Sequence, residues 1–337
     1  MPLKTPSWWY RKAGVASAAL SPLAALYGQV AASRMARGGA YRSRLPVICI
    51  GNFTAGGGGK TPTAIAVANL LKTMGKSPAF LTRGYGGTAK GVVRVSGQGA
   101  EAVGDEPLLL AAVAPTFVSA DRVAGAKAIE ETDADVIVMD DGFQNPSLAK
   151  DLSLIVVDAT SGLGNGHLIP AGPLRAPLEA QIARADALLV IGEGKKADAL
   201  IATFDSAGKP VLRAKIAPAP HVDARWLSIM PVVGFAGIAR PSKFFATLKA
   251  NGARLIGSHA FGDHHRFTEK DAKALLKAAE DKSAMLVTTE KDWARLAEDD
   301  EDSAVTELKH RSRPFAIVIA FEDEEKTKNL IGGATGR

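Results

Sequence analysis

The stretch Gly51-Asn52-Phe53-Thr54-Ala55-Gly56-Gly57-Gly58-Gly59-Lys60-Thr61-Pro62 limits the fold more than any other part of the chain. The apolar run Val47–Ile50 leads in, and a run of helix formers from Thr63 to Leu71 leads out. A strand, a glycine turn ending in Lys-Thr and a helix start together make a phosphate-binding loop. Without Cβ atoms, successive N–H groups of such a turn can converge on one anion. The helix adds its unpaired N–H groups and the positive end of its dipole. Thr54 to Thr61 (Thr54, Ala55, Gly56, Gly57, Gly58, Gly59, Lys60 and Thr61) are therefore the expected nucleotide ligands. Lys60 would reach the β- and γ-phosphates and Thr61 would face Mg²⁺. Thr54 departs from the strict pattern, which wants glycine there.

Downstream, strands alternate with helices. Short apolar strands are expected at residues 77–82, 116–119, 135–140, 154–158 and 187–191, with helices at 108–113 and 123–131. Val92–Val95 reads as a small hairpin or mobile loop. Acids and glycines sit at the strand ends, which is the pattern of a mainly parallel, doubly wound α/β sheet with ligands at the carboxyl ends. Near residue 218 the texture changes, and Ala217-Pro218-Ala219-Pro220 reads as a linker. A smaller α/β domain follows, and a last strand at 315–319 returns to the first. The expected division is 1–44, a basic and apolar helical segment; 45–217, the P-loop domain; 218–312, the smaller domain; and 313–337, a strand with a polar, frayed tail.

Composition sharpens two points. The single cysteine, Cys49, excludes an intrachain disulfide and favours a reducing compartment. The net charge of +6 resides in residues 1–44, which carry Lys4, Arg11, Lys12, Arg34, Arg37, Arg42 and Arg44 and no acid. That asymmetry calls for an anionic partner, either nucleic acid or a membrane surface. Ala13–Ser33 carries no charge, and Val15, Ala19, Leu23, Leu26 and Val30 fall at helical spacing. Pro22, Gly28 and Gln29 weaken a bilayer span. Trp8-Trp9-Tyr10 beside Arg11-Lys12 suits a headgroup interface. An interfacial helix, a core helix and a true span all remain open, and the aromatic start makes a poor signal peptide.

Several side chains could carry chemistry. Asp140-Asp141, ending a strand, would hold Mg²⁺ beside Thr61. Asp105-Glu106 opens a helix, where acids favour the dipole and where one could also act as a base on an acceptor hydroxyl. Asp263-His264-His265 reads as a surface turn or as a histidine oriented by a carboxylate; no matching ligand pair makes a metal site. Arg83, Arg122 and Arg175, in loops after strands, suit phosphate oxygens.

Eight motifs in this order resemble one family: G-N-F-T-A-G-G-G-G-K-T-P, T-R-G-Y-G, G-D-E-P, S-A-D-R, D-D-G-F-Q, P-A-G-P-L-R, F-G-D-H-H and T-E-K-D. They resemble the tetraacyldisaccharide 4′-kinases of lipid A biosynthesis, over nearly the whole chain. In that family a hydroxylated residue commonly stands where Thr54 stands here. The resemblance implies a P-loop kinase fold with a membrane-associated N-terminal helix. It implies transfer from ATP, with Mg²⁺, to the 4′-hydroxyl of a tetraacylated glucosamine disaccharide 1-phosphate, giving lipid IVA. It also implies that Asp140 and Asp141 serve the metal and that Asp105, supported by His264, is the base. Arg83, Glu106, Arg122 and Arg175 are candidate substrate contacts. The expected place is the cytoplasmic face of the bacterial inner membrane, peripheral or monotopic, with no nucleic acid and no obligate protein partner. One position departs from the family: Ala176 follows Arg175 where glutamate is usual, and Glu179 is a possible substitute. A P-loop switch or metallochaperone is the rival class, but Thr289-Glu290-Lys291-Asp292 places its lysine one residue late for guanine recognition, and Cys or His tracts are absent. A nucleic-acid-binding ATPase is a second rival, against which the apolar and aromatic N-terminus argues.

Overall fold

A computed structural model describes residues 6–37, 40–56, 58–220, 225–263, 265–296 and 303–336. The chain forms two compact units. Of the described residues, one unit holds 6–215 together with 319–336, and the other holds 216–318.

The larger unit is built on a nine-stranded sheet. Its strands are β1 (Val47–Gly51), β2 (Pro78–Thr82), β3 (Val92–Arg94), β4 (Thr116–Ser119), β5 (Val136–Asp140), β6 (Leu152–Asp158), β7 (Ala187–Ile191), β8 (Val211–Pro218) and β13 (Ile317–Phe321), in the order β13-β8-β7-β6-β1-β5-β2-β4-β3. Every described pairing from β8 to β4 is parallel, and the edge strand β3 runs antiparallel to β4. The central strands β1, β2, β5, β6 and β7 are buried throughout. Strands covered on both faces must be continuously apolar, and the runs Val-Ile-Cys-Ile and Val-Ile-Val-Met meet that need.

The helices of this unit include α1 (Val15–Ala36), α2 (Lys60–Thr73), α3 (Ala100–Val103), α4 (Asp105–Ala111), α5 (Arg122–Glu130) and α6 (Leu178–Arg184). Asp121 starts α5 by accepting from the backbone N–H groups of Val123 and Ala124, at 2.9 and 3.1 Å. In α1 the buried positions are Ser17, Ala24, Gly28 and Met35. A Cβ on Gly28 would run into the Leu168 side chain, so this small-residue stripe lets α1 lie close against the segment 165–177. The larger apolar residues point outward: Val15, Leu23, Leu26 and Val30 are each more than half exposed.

Two expectations fail. Residues 217–220 are not a free linker, because β8 runs through Pro218 and the backbone N–H of Ala219 donates to Ala316. The tail is not frayed. A helix spans Glu324–Thr335, capped by the Asp323 carboxylate on the Lys326 N–H at 2.8 Å, and it buries Ile331 completely.

The smaller unit has a four-stranded parallel sheet of β9 (Pro231–Ala236), β10 (Arg254–Ala260), β11 (Met285–Thr288) and β12 (Ser312–Pro314), in the order β10-β9-β11-β12. Phe235, Leu275, Leu286 and Leu308 lie in its core.

Candidate active site

Register brings the main parts together. β1 lies beside β5 with Ile50 opposite Asp140, and the Asp141 N–H donates to the Ile50 carbonyl at 3.0 Å. The glycine loop and the Asp140-Asp141 pair therefore leave the sheet side by side. Gly59 caps α2 with φ 86°, and a Cβ there would approach Ile191 to 2.9 Å. Lys60 and Thr61 are the first residues of α2, and both are buried.

Thr54 fits because its backbone does not need glycine. It forms an antiparallel bridge with Leu174. On either side of it, the Ala55 N–H donates to Pro173 at 2.7 Å and the Arg175 N–H to Phe53 at 2.9 Å. The P-A-G-P-L-R motif thus braces the phosphate loop in an extended conformation.

The two aspartates, adjacent in sequence, do different things. Asp140 is buried. One carboxylate oxygen accepts from the Thr61 hydroxyl at 3.0 Å, and the other has no hydrogen-bond partner. Burial raises its pKa to about 7, with Glu106 and Asp141 adding to the rise against Lys60 and Thr61. Asp141 takes a left-handed backbone (φ 53°), which an aspartate tolerates better than most residues. Its carboxylate is gripped bidentately by Arg175, at 2.6 and 3.0 Å, and lies 3.5 Å from the Lys60 ammonium. Burial opposes its charge, but Lys60 and Arg175 outweigh that and hold the carboxyl well below the ordinary range.

Arg122 lies within electrostatic reach of these acids and of Arg83. Arg122 is buried and donates to the Ser119 carbonyl, while its Nε has no partner. Burial lowers its pKa and the nearby Arg83 lowers it further; Asp141 and Asp140 act in the other direction. Arg83 itself is exposed after β2. Asp105 and Glu106 open α4 and are half-buried, and the charge of Glu106 reaches Asp140 and Arg175. The T-R-G-Y-G turn packs on this helix start, where a Cβ on Gly104 would meet the Tyr85 carbonyl at 2.6 Å.

Gly57 and His264 lie outside the described residues. His265, next to the latter, bonds Asp271 at 3.0 Å and stacks on Phe261 with centroids 4.8 Å apart. In the same unit, Asp292 of T-E-K-D is fully buried. It accepts from the Gly237 N–H at 3.0 Å and pairs with Arg295 at 2.8 Å, so that motif locks the end of β9.

Sequence reasoning missed three braces of the phosphate loop. Gln144 donates to the Asn52 carbonyl at 2.7 Å and to Gln181 at 3.0 Å. Gln181 donates to the Ala176 carbonyl at 2.8 Å. The Tyr10 hydroxyl donates to the Ala55 carbonyl at 3.0 Å. Gln144 sits inside D-D-G-F-Q, so its motif was visible although its partner was not. Ala176 is wholly buried, and Glu179 is exposed on the first turn of α6.

Among the described residues, no group of three His, Cys, Asp or Glu side chains could cage a metal ion. The Thr61 hydroxyl and the orphaned oxygen of buried Asp140 instead fit Mg²⁺, which binds through one or two carboxylates plus substrate phosphates.

The family model for tetraacyldisaccharide-1-P 4′-kinase (LpxK) matches residues 16–332. A tetraacyldisaccharide 4′-kinase of Nitrobacter winogradskyi is 45% identical over 331 residues, covering 98% of this chain and 97% of that one. One from Xanthobacter autotrophicus is 52% identical over 297 residues, covering 87% and 86%. The crystal structure of LpxK from Aquifex aeolicus in complex with ATP matches with a TM-score of 0.74 at 27% identity, covering 95% of this chain and 99% of that one.

Proposed function

This chain belongs to the tetraacyldisaccharide-1-phosphate 4′-kinase family, and from that premise we propose how its residues divide the work. The chain is an ATP-dependent lipid sugar kinase of lipid A biosynthesis. It transfers a phosphoryl group to the 4′-hydroxyl of a tetraacylated glucosamine disaccharide 1-phosphate, giving lipid IVA. Neither the switch or metallochaperone reading nor the nucleic-acid reading is favoured. The single observation that carries the division of roles is the unlike pairing of Asp140 and Asp141.

The loop from Thr54 to Thr61 holds the ATP phosphates, braced from outside by residues 173–175. Thr61 and Asp140 would hold Mg²⁺, which would supply positive charge against the phosphates. Asp141 serves the metal only indirectly in this reading: it fixes Arg175 and keeps Lys60 in place before nucleotide arrives. Lys60 then moves its charge onto the β- and γ-phosphates. Arg83, Arg122 and Arg175 line the oxygens of the transferring group, where positive charge stabilises the transition state. Asp105 orients the acceptor hydroxyl and takes its proton; a loose transition state needs little proton removal early, so a carboxylate suffices. His264 is the candidate to support it, and Glu106 the candidate to set the local charge. The larger unit, residues 6–215 with 319–336, is the kinase domain, and 216–318 form the smaller domain, so the strand β12 (Ser312–Pro314) belongs to the latter.

Among the described residues one helix, α1, is long and apolar enough to cross a membrane by length and composition. We read it as interfacial, because its small-residue stripe is packed against the protein while its large apolar residues face out. Arg11 and Lys12 lie before it and Arg34 and Arg37 at its other end. We infer that the enzyme works at the cytoplasmic face of the inner membrane, peripheral or monotopic, where its anionic lipid substrate is concentrated. Asp105→Ala should abolish transfer to the lipid while leaving ATP binding largely intact. Transfer at the normal rate would remove Asp105 from the mechanism.

A further inference from the structure

A cavity of about 270 Å³ lies away from the phosphate loop. It opens between the C-terminal end of α1, the segment 143–150 and the end of α6. Lys150 precedes β6 and Asp186 precedes β7, so the cavity reaches the amino ends of those strands, whereas the phosphate loop leaves the carboxyl end of β1.

Its lining is unbalanced in charge. Arg37, Lys150 and Arg184 contribute three cations, and Asp186 contributes one carboxylate, which accepts from the Ser153 N–H at 2.7 Å. Among the described residues neither arginine is paired with an acid. Among the described residues the Lys150 ammonium donates to the carbonyls of Asn145 and Leu148, at 2.5 and 3.3 Å, and to no carboxylate. Burial lowers the Lys150 pKa, and Arg184 and Arg122 are among the charges that lower it further. Cations that crowd one another in excess of the carboxylates beside them are relieved by a bound anion. Met35, Phe143 and Leu148 supply an apolar wall beside them.

We propose that this cavity is a second anion site, which takes a phosphate ester. Two sources share that chemistry: the headgroup of an anionic membrane lipid and a soluble phosphate ester. The lipid source rests on the interfacial reading of α1, since Met35 and Arg37 belong to the end of that helix. The soluble source does not depend on it.

The test uses the full chain saturated with Mg-ADP, so that the phosphate loop is filled. It is floated with phosphatidylcholine vesicles and with vesicles enriched in phosphatidylglycerol, and it is titrated with glycerol 3-phosphate by calorimetry. The variants are Lys150→Met/Arg184→Gln and Arg184→Gln alone; the second removes only an exposed side chain and keeps the test valid if the first fails to fold. Each basic residue near an anionic surface strengthens binding severalfold, so the double variant should lose on the order of tenfold in its preference for the anionic vesicles. Loss in flotation alone identifies the lipid headgroup, and loss of saturable glycerol 3-phosphate binding identifies the soluble ester. Failure of the wild-type chain to bind any vesicle removes the interfacial reading and leaves the titration to decide. Variants that match the wild type in both arms, with ADP binding intact, overturn the site.

Discussion

Replacing Asp140 by asparagine should inactivate the enzyme and stabilise it at the same time. The carboxyl of Asp140 is 1% exposed, and its pKa rises from 3.8 to about 7. At 1.36 kcal/mol per unit, the ionised form costs the folded state about 4 kcal/mol above pH 7. Asparagine escapes that cost but gives up about 1 kcal/mol because its amide N–H group, at the position of the orphaned carboxylate oxygen, finds no acceptor. The net gain of about 3 kcal/mol corresponds to roughly 6–12 °C in Tm for a unit of this size. The sign follows from linkage: the folded-state pKa lies above the unfolded one, so the wild type gains stability as pH falls from 7 towards 4. The advantage of the variant is therefore full at pH 8 and fades towards pH 4. Because Asp140, Asp141 and Glu106 interact, the midpoint belongs to the acid cluster. Calorimetric scans without nucleotide at pH 8, 6.5 and 5 measure the effect, with phosphoryl transfer assayed in parallel. Transfer should fall at least about a hundredfold, the scale for losing one preorganised electrostatic contact. A variant no more stable than wild type at pH 8, or an advantage independent of pH, would refute the reasoning.

Two further outcomes follow from the geometry. Arg175→Lys keeps the charge but loses the two-pronged grip on Asp141, and steady-state kinetics should show kcat/KM down by about 10- to 100-fold; wild-type kinetics would show that the fork is dispensable. Asp292→Ala removes the buried carboxylate that meets Arg295, whose side chain is 6% exposed, at 2.8 Å and that accepts from the Gly237 N–H. Urea unfolding should register a loss of about 3–5 kcal/mol from the smaller unit, and an unchanged midpoint would mean that the Gly237 lock contributes little.

The readable parts of this sequence were those where one physical demand dominates. Buried parallel strands such as β1, β5 and β7 must be continuously apolar, and the glycine loop between strand and helix has few other uses. What escaped depends on partners far away in sequence. β8 is only partly buried and ends at Pro218, with Pro220 just beyond it, so it resembled a linker. The C-terminal helix hides behind polar residues and a Gly332-Gly333 pair, with Ile331 as its main anchor. The apolar residues of α1 have helical spacing, but spacing alone does not say that the small residues turn inward. Asp140 and Asp141 look equivalent in sequence; a left-handed turn at Asp141 sends one carboxylate to Thr61 and the other to Arg175 and Lys60. The tolerance of Thr54 likewise became explicable only through its bridge to Leu174.

The most direct test of the account is a stoichiometric one. The purified chain in detergent is given Mg²⁺ and γ-labelled ATP, with and without the tetraacyldisaccharide 1-phosphate, and ATP consumption and labelled lipid are followed together. The account predicts that each ATP consumed leaves one phosphate on the lipid 4′-position, with little consumption when the lipid is withheld. ATP hydrolysis that proceeds equally without the lipid, and leaves no phosphorylated lipid, would contradict it.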